Sequence, residues 1–458
     1  MAEPDSRAAG PAPDPTPRRQ VRVWEWVALV GLVVAVVAVL GLTGLVRGDV
    51  DADASAGKLN ADQRSRVVAV QALLDSWATA LQRNDAAELA ELVDASATPG
   101  FLAAQTLRAA NISGVDFSDW GYEILAGRES EVPPSVVTAL RADEVWAPAV
   151  QLRYAIAGVD ERPTRKPVSL VVARRGASWT LVSDSATVDA NLRTWRGPWD
   201  FGPLVSQRVE TGEGRTSVVL GHPWDAEMVD RLAEELPAAV ADVSQLWGSD
   251  WAGRALVWVA GSQEEFTALV GPKHDGRNIA AVALSDAVDP DSDVVTGQRI
   301  VFSPEAAERL TGVTTREILQ HELTHVATRA VTVDGSPMWM LEGYAEYAAH
   351  RGTGTAERQI APTLAARVDT KGAPRDFPGD SDFAVSGKHG SQAYEAAWSI
   401  NAFVAAEFGE ARLTELYRAL SVGKVDPQTL DERLSDVLAV GADQFRNGWS
   451  QWVSAQLG

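Results

Sequence analysis

His321-Glu322-Leu323-Thr324-His325 sets two imidazoles one helical turn apart with a carboxylate between them. On a helix, residues i and i+4 share a face, so both rings can grip one metal ion while Glu322 projects beside it toward a water molecule. Imidazoles are zinc donors, and a carboxylate at the open corner of such an ion is placed to take a proton, so the pattern predicts zinc-assisted hydrolysis. The spacing has meaning only on a helix. Thr314 followed by Glu317 predicts a capping box that opens one, running through the motif over residues 314–329.

A catalytic zinc takes three protein ligands and keeps a fourth position open. After the loop signal Asp334-Gly335, Ser336-Pro337 reads as the N-cap and first residue of a second helix carrying Trp339 to Tyr347. On it, Glu342 is the predicted third ligand. Glu346, one turn further, is predicted to accept the free N–H of a ligand histidine and fix its tautomer. Trp339, Met340 and Leu341 are expected to pack this helix, with Trp339 also a candidate to line a substrate pocket. His222, His274 and His350 are expected at the surface or at helix caps.

H-E-L-T-H, a short turn and W-M-L-E-G-Y-A-E-Y together resemble the gluzincin metallopeptidases, and within them the peptidase MA-like group of bacterial proteins, over roughly residues 205 to 458. Relatives of aminopeptidase N carry a similar E-G-x-A element after a slightly longer spacer. The shorter spacer here brings both Glu342 and Glu346 into consideration as ligand, and Glu342 is preferred because it matches the glutamate of E-G-x-A. The resemblance implies Zn2+ held by His321, His325 and Glu342, and hydrolysis of peptide bonds in a peptide or protein substrate. Glu322 is then the general base that returns its proton to the leaving amine. An oxyanion donor is also implied; Tyr394, within residues 391–398, is the candidate and His389 the second choice. A competing reading is a membrane-tethered binding or scaffolding protein with a structural or vestigial zinc site. Retention of Glu322 argues against it, since a structural site has no use for a general base.

The rest of the chain speaks to place and architecture. Residues 27–46 form an uncharged apolar run long enough to cross a bilayer, with Trp24 and Trp26 at its start and Arg18, Arg19 and Arg22 before it. Residues 24–47 are therefore predicted as one transmembrane helix, residues 1–23 as a disordered, proline-rich cytoplasmic tail, and everything beyond as extracytoplasmic, on a single-pass protein of the cell membrane. A cleaved signal peptide ending near Ala52-Asp53-Ala54 is the competing reading. There are no cysteines, so disulfides and thiolate metal sites are excluded, and a net charge of -21 argues against binding nucleic acid.

The expected fold class is α+β throughout. Residues 60–190 should form a first domain: Val67, Val70, Leu74, Trp77 and Leu81 mark a helix ending near Asn84, and strands follow at 150–156, 168–173 and 178–182. This pattern resembles the nuclear transport factor 2-like (SnoaL-like) cone fold, which implies a non-catalytic role in binding or spacing. Residues 195–203, rich in Gly, Pro and Trp, read as a linker. Residues 205–458 are then a zincin-type, two-lobed metallopeptidase domain. Its strands at 217–220, 255–259, 279–284 and 298–302, with helices at 264–270 and at 225–247 (interrupted near Pro237), predict a mixed sheet backing the metal helix. Strand 279–284 is the candidate edge for adding an extended peptide. Helices at 396–408, 412–420 and 442–455 would build the second lobe, with a cleft over the zinc. Nothing in the sequence reads as a pocket for a substrate's N-terminus, so internal and terminal cleavage both stay open.

Overall fold

The computed structural model describes residues 59–185, 193–271, 279–289, 294–308, 310–383 and 390–458. The predicted tail and transmembrane helix, His274 and His389 lie outside the described residues. Among the described residues no helix is long and apolar enough to cross a membrane.

The fold is a mixture of helix and sheet, as the pattern required. Helix α1 (Ala61–Arg83) opens on a reciprocal cap between Asn60 and Gln63 and ends on Asn84 in the left-handed region. Of its predicted stripe, Val70, Leu74, Trp77 and Leu81 are buried, and Val67 is half-buried against the same core. Helices α2 (Ala86–Leu92) and α3 (Phe101–Ile112) follow, then an antiparallel sheet of β1 (Phe117–Ser130), β2 (Glu144–Ile156), β3 (Thr164–Ser169), β4 (Val171–Arg175) and β5 (Ser178–Ser183), with α4 (Pro134–Leu140) between β1 and β2. The order is β1-β2-β4-β5, with β3 also on β2. The single strand predicted over 168–173 is thus two strands broken at Leu170, pairing with different stretches of β2.

Residues 195–203 are not a free linker. Trp199 is 1 % exposed, and its ring lies edge-on to Trp120 at 5.0 Å and Tyr154 at 5.2 Å. Asp200 accepts from Arg108 Nε at 2.8 Å. The glycine and proline bend this segment, but burying its tryptophans gains more than leaving them in water. It is a strap on the core.

The second sheet contains β6 (Val205–Glu210), β7 (Thr216–Gly221), β8 (Leu256–Val259), β9 (Ala281–Leu284) and β12 (Arg299–Phe302), in the order β6-β7-β8-β12-β9. β7, β8 and β12 run parallel, while β6 and β9 are antiparallel edges; β10 (Ala287–Val288) and β11 (Val295–Thr296) form a small separate hairpin. Helix α5 (Ala226–Trp247) is continuous through Pro237, contrary to the expected break. Leu232, Leu236 and Val240 are buried on either side, and that packing outweighs the missing proline N–H. Helix α6 (Gln263–Val270) precedes β9.

Because side chains alternate along a strand, this sheet serves two cores. Val219, Val257, Val259, Ile300 and Phe302 pack with α5 and the metal-motif helix. Val218, Leu220, Leu256, Trp258 and Val301 belong to the same core as Trp77, Trp120 and Trp199 of the N-terminal layer. Arg299 of β12 reinforces the junction, donating to both carboxylate oxygens of Asp160 at 2.7 and 3.1 Å from a buried position. The layer is therefore a wall of the sheet's second core. A fragment of residues 205–458 is expected to lack a cooperative thermal unfolding transition, since that whole apolar face would meet water. A monomeric fragment that melts cooperatively would contradict the shared core.

Candidate metal centre

Two helices carry the motif residues. Helix α7 (Gly312–Thr328) is capped by Thr311, whose Oγ1 accepts from Thr314 N at 3.3 Å while Thr314 Oγ1 accepts from Thr311 N at 2.7 Å. The box thus starts three residues earlier than the predicted Thr314/Glu317 pair, because a threonine hydroxyl can take the return role expected of glutamate. From Ile318 to Thr328 every residue is buried, so the helical spacing of the motif is enforced by packing on both sides. Helix α8 (Met338–His350) begins one residue later than expected, with Pro337 as its cap. Ser336 Oγ accepts from Gly423 N, and Asp380 Oδ1 accepts from Met338 N at 3.0 Å, satisfying the first turn.

Two short helices follow, α9 (Glu357–Ile360) and α10 (Pro362–Lys371), and Gly343, beside Glu342, lets α8 approach the next one, α11 (Gly390–Phe408), closely. A Cβ there would collide with the Ala397 carbonyl and the Asn401 amide. Asn401 Nδ2 bridges to Ala397 O at 2.9 Å and Trp339 O at 3.3 Å, fixing the crossing that sets the height of Glu342. Trp339 itself is buried, its ring against Phe377 at 4.8 Å within the core.

His321, His325 and Glu342 converge. The two Nε2 atoms are 3.2 Å apart, and Glu342 Oε2 lies 3.4 Å from His321 Nε2 and 3.6 Å from His325 Nε2. Donors held at about 2.0 Å by one tetrahedral ion would sit about 3.3 Å apart, so the spacing fits. The chemistry fits as well. Both oxygens of Glu342 and both of Glu322 are buried without a hydrogen-bond partner among the described residues. Buried carboxylates in that condition are costly unless a cation compensates them. Two imidazoles and one carboxylate, leaving one corner free, suit zinc.

The surroundings complete the site. His321 Nδ1 faces Glu346 Oε1 at 3.4 Å, near the predicted carboxylate but without a hydrogen bond to it among the described residues. Burial is the main force raising the Glu322 carboxyl above its ordinary range, and the Glu342 charge adds to it, while the two histidines and the Ala283 amide of edge strand β9 oppose it. Tyr394, in the first turns of α11, is buried with its ring edge-on to Phe383 at 5.1 Å. Burial, then the charges of Glu342, Glu346 and Glu322, hold its phenol far above the usual value, so it stays a protonated donor within electrostatic reach of the metal cluster.

Three expectations change. His222 is fully buried, its Nδ1 on the Pro203 carbonyl and its Nε2 on Glu265, both at 2.9 Å. His350 is packed between Glu346 of its own helix and Glu317 of α7. The signal for His350 was present: Glu317 and His321, like Glu346 and His350, are i, i+4 pairs, and only the facing of the two helices joins them. Finally, His321, Glu322, His325 and Glu342 are 1, 0, 6 and 0 % exposed, so they do not line an open cleft. A cavity of about 560 Å³ beside them is bounded by Tyr347, His350, Arg351, Trp398 and Glu410, and by none of the three ligands.

No protein-family model and no curated protein sequence matches this chain. Among solved structures it is similar to an M1 zinc metallopeptidase from Deinococcus radiodurans, at 14 % identity over 62 % of this chain and 59 % of that chain, with a TM-score of 0.33. A glutamate-to-alanine mutant of that enzyme gives 13 %, 61 %, 58 % and 0.33, and the mutant bound to a Tyr-Ser-Ala substrate gives 13 %, 61 %, 58 % and 0.31. The chain spans about three fifths of the length of these proteins. A likeness this loose assigns neither an activity nor a family, and it lends no support to the cone-fold resemblance of the first domain.

Burial pulls the His321 imidazole down, but the Glu342 carboxylate beside it and the charges of Glu346 and Glu322 outweigh this and raise it to about 9 in the metal-free chain. Below that pH the ring carries a proton that a metal must displace. Zinc uptake at pH 7 is therefore expected to release at least about one proton per ion, with apparent affinity falling about tenfold per pH unit as pH drops. Calorimetric titration in buffers of differing ionisation enthalpy reads this directly, and uptake without proton release would contradict it.

Proposed function

We propose that this chain is a zinc-dependent peptidase, anchored in the cell membrane by residues 24–47 with its catalytic part outside. One observation carries the reading: Glu322, a buried carboxylate whose oxygens have no hydrogen-bond partner among the described residues, lies beside three metal donors. A purely structural site would gain nothing from that group and would be destabilised by it.

When bound, zinc supplies Lewis-acid activation of water and of the scissile carbonyl. His321, His325 and Glu342 would hold it. Glu322 takes the proton of the attacking water and hands it to the leaving amine; its raised pKa makes it a stronger base for the first task and a usable acid for the second. Tyr394 donates to the oxygen on which negative charge develops. Glu346 keeps His321 in the tautomer that presents Nε2 to the metal. An extended substrate pairs with the open side of β9, where the Ala283 amide already faces Glu322. Residues 205–458 carry the catalysis, and the α+β layer over 60–190 acts as their structural backing.

The near-complete burial of the ligands favours a second reading, a closed structural zinc site in a tethered scaffold. A hydroxamate inhibitor separates the two: binding to the zinc-loaded chain requires an open corner, and failure to bind favours the closed site. For the peptidase itself, Glu322→Ala is expected to retain one zinc per chain while cleavage of a peptide library falls by at least about 10². Cleavage unchanged by that substitution would remove Glu322 from the mechanism.

A further inference from the structure

We infer that His350 is a positioning residue for the metal centre, clamping Glu346 against the ligand His321 and tying α8 to α7 through Glu317. The inference rests on the zinc site proposed above and extends it outward. The geometry is a chain of four side chains. His321 Nδ1 faces Glu346 Oε1 at 3.4 Å, Glu346 Oε2 faces His350 Nε2 at 3.5 Å, and His350 Nδ1 faces Glu317 Oε1 at 3.6 Å. The side chains of Glu317, Glu346 and His350 are 12, 13 and 9 % exposed, so water does little to screen them.

Each ring nitrogen of His350 faces a different carboxylate at ion-pair distance, and a doubly protonated imidazole presents an N–H toward both. Burial pulls its pKa down, but hydrogen bonding to Glu317 and Glu346 and their charges prevail and raise it to about 9. The consequence lies at Glu346. That carboxylate lies between His350 and His321: with Oε2 facing the His350 ring, Oε1 is turned toward His321 Nδ1. Arg351 cannot take over, because it is held by Glu410 through Nη2 at 2.9 Å. Without His350, Glu346 loses the group that holds Oε2 and is free to turn away, which leaves His321 Nδ1 facing no carboxylate.

The clamp spans both motif helices. Glu317 and His321 occupy successive turns of α7, and Glu346 and His350 occupy successive turns of α8, so the chain locks the register in which Glu342 meets the two histidines.

The test is a double-mutant cycle on the full chain, read as the zinc dissociation constant by competition with a chromophoric chelator. His350→Gln is expected to weaken zinc binding about tenfold, and Glu346→Gln by about 10- to 100-fold, the range typical of groups that orient a ligand histidine. The double variant should bind no more weakly than Glu346→Gln alone, because His350 acts through Glu346. Glu317→Gln, which leaves both other groups in place, should weaken zinc in the same direction by a smaller factor and keeps the test decisive if His350→Gln fails to fold. A merely structural role would lower the melting temperature of the metal-free chain without this non-additivity. Wild-type affinity in His350→Gln or, where that variant does not fold, in Glu317→Gln overturns the clamp alone, as does an effect of either that adds fully to Glu346→Gln. A wild-type chain that takes up no zinc overturns the metal centre and the clamp together.

Discussion

Charge balance in a space with little water governs this structure. Between α7 and α8 lie four carboxylates, Glu317, Glu322, Glu342 and Glu346, facing three imidazoles, His321, His325 and His350. Exposed at the surface, such a set would contribute almost nothing to stability. Buried, each anion must find a partner or a proton. The outer part of the set resolves itself, with His350 shared between Glu317 and Glu346. The inner part does not, because among the described residues the four oxygens of Glu342 and Glu322 find no hydrogen-bond partner. A divalent cation at the convergence of His321, His325 and Glu342 relieves that imbalance, and the same imbalance raises the base strength of Glu322.

The remainder of the fold holds these groups at fixed distances. α7 is pinned by the sheet and α5, and α8 by its close crossing over α11 at Gly343, so neither ligand helix can slide without opening the core. The sheet is held in turn from its other face, where the tryptophan-rich N-terminal layer and the buried Arg299–Asp160 pair close a second core. The layer that resembled a separate module in the sequence is thus part of what keeps the metal helix in place.

The placements that came out as expected were those decided within one element. The i, i+4 histidines, the Glu342/Glu346 pair, the α1 stripe and the edge position of β9 follow from periodicity and order alone. Those that failed depend on partners distant along the chain. His350 resembles a helix-end histidine until α7 brings Glu317 to it, and His222 until Glu265 and the Pro203 carbonyl enclose it. Residues 195–203 have the composition of a turn, yet their tryptophans are drawn into the core by Tyr154 and Trp120. Pro237 would end an isolated helix and is tolerated in one whose apolar face is buried on both sides of it. The Thr311/Thr314 cap shows a finer limit, since two threonines satisfied the reciprocal pattern before the expected threonine–glutamate pair.

X-ray absorption at the zinc edge on the purified full chain tests the central claim most directly. One zinc per chain is expected, with two imidazole nitrogens at about 2.0–2.1 Å and light oxygen donors completing four-coordination, and with one imidazole lost in His321→Ala or His325→Ala. Stoichiometric zinc whose imidazole signal survives both substitutions, or a chain that holds no zinc, would contradict it.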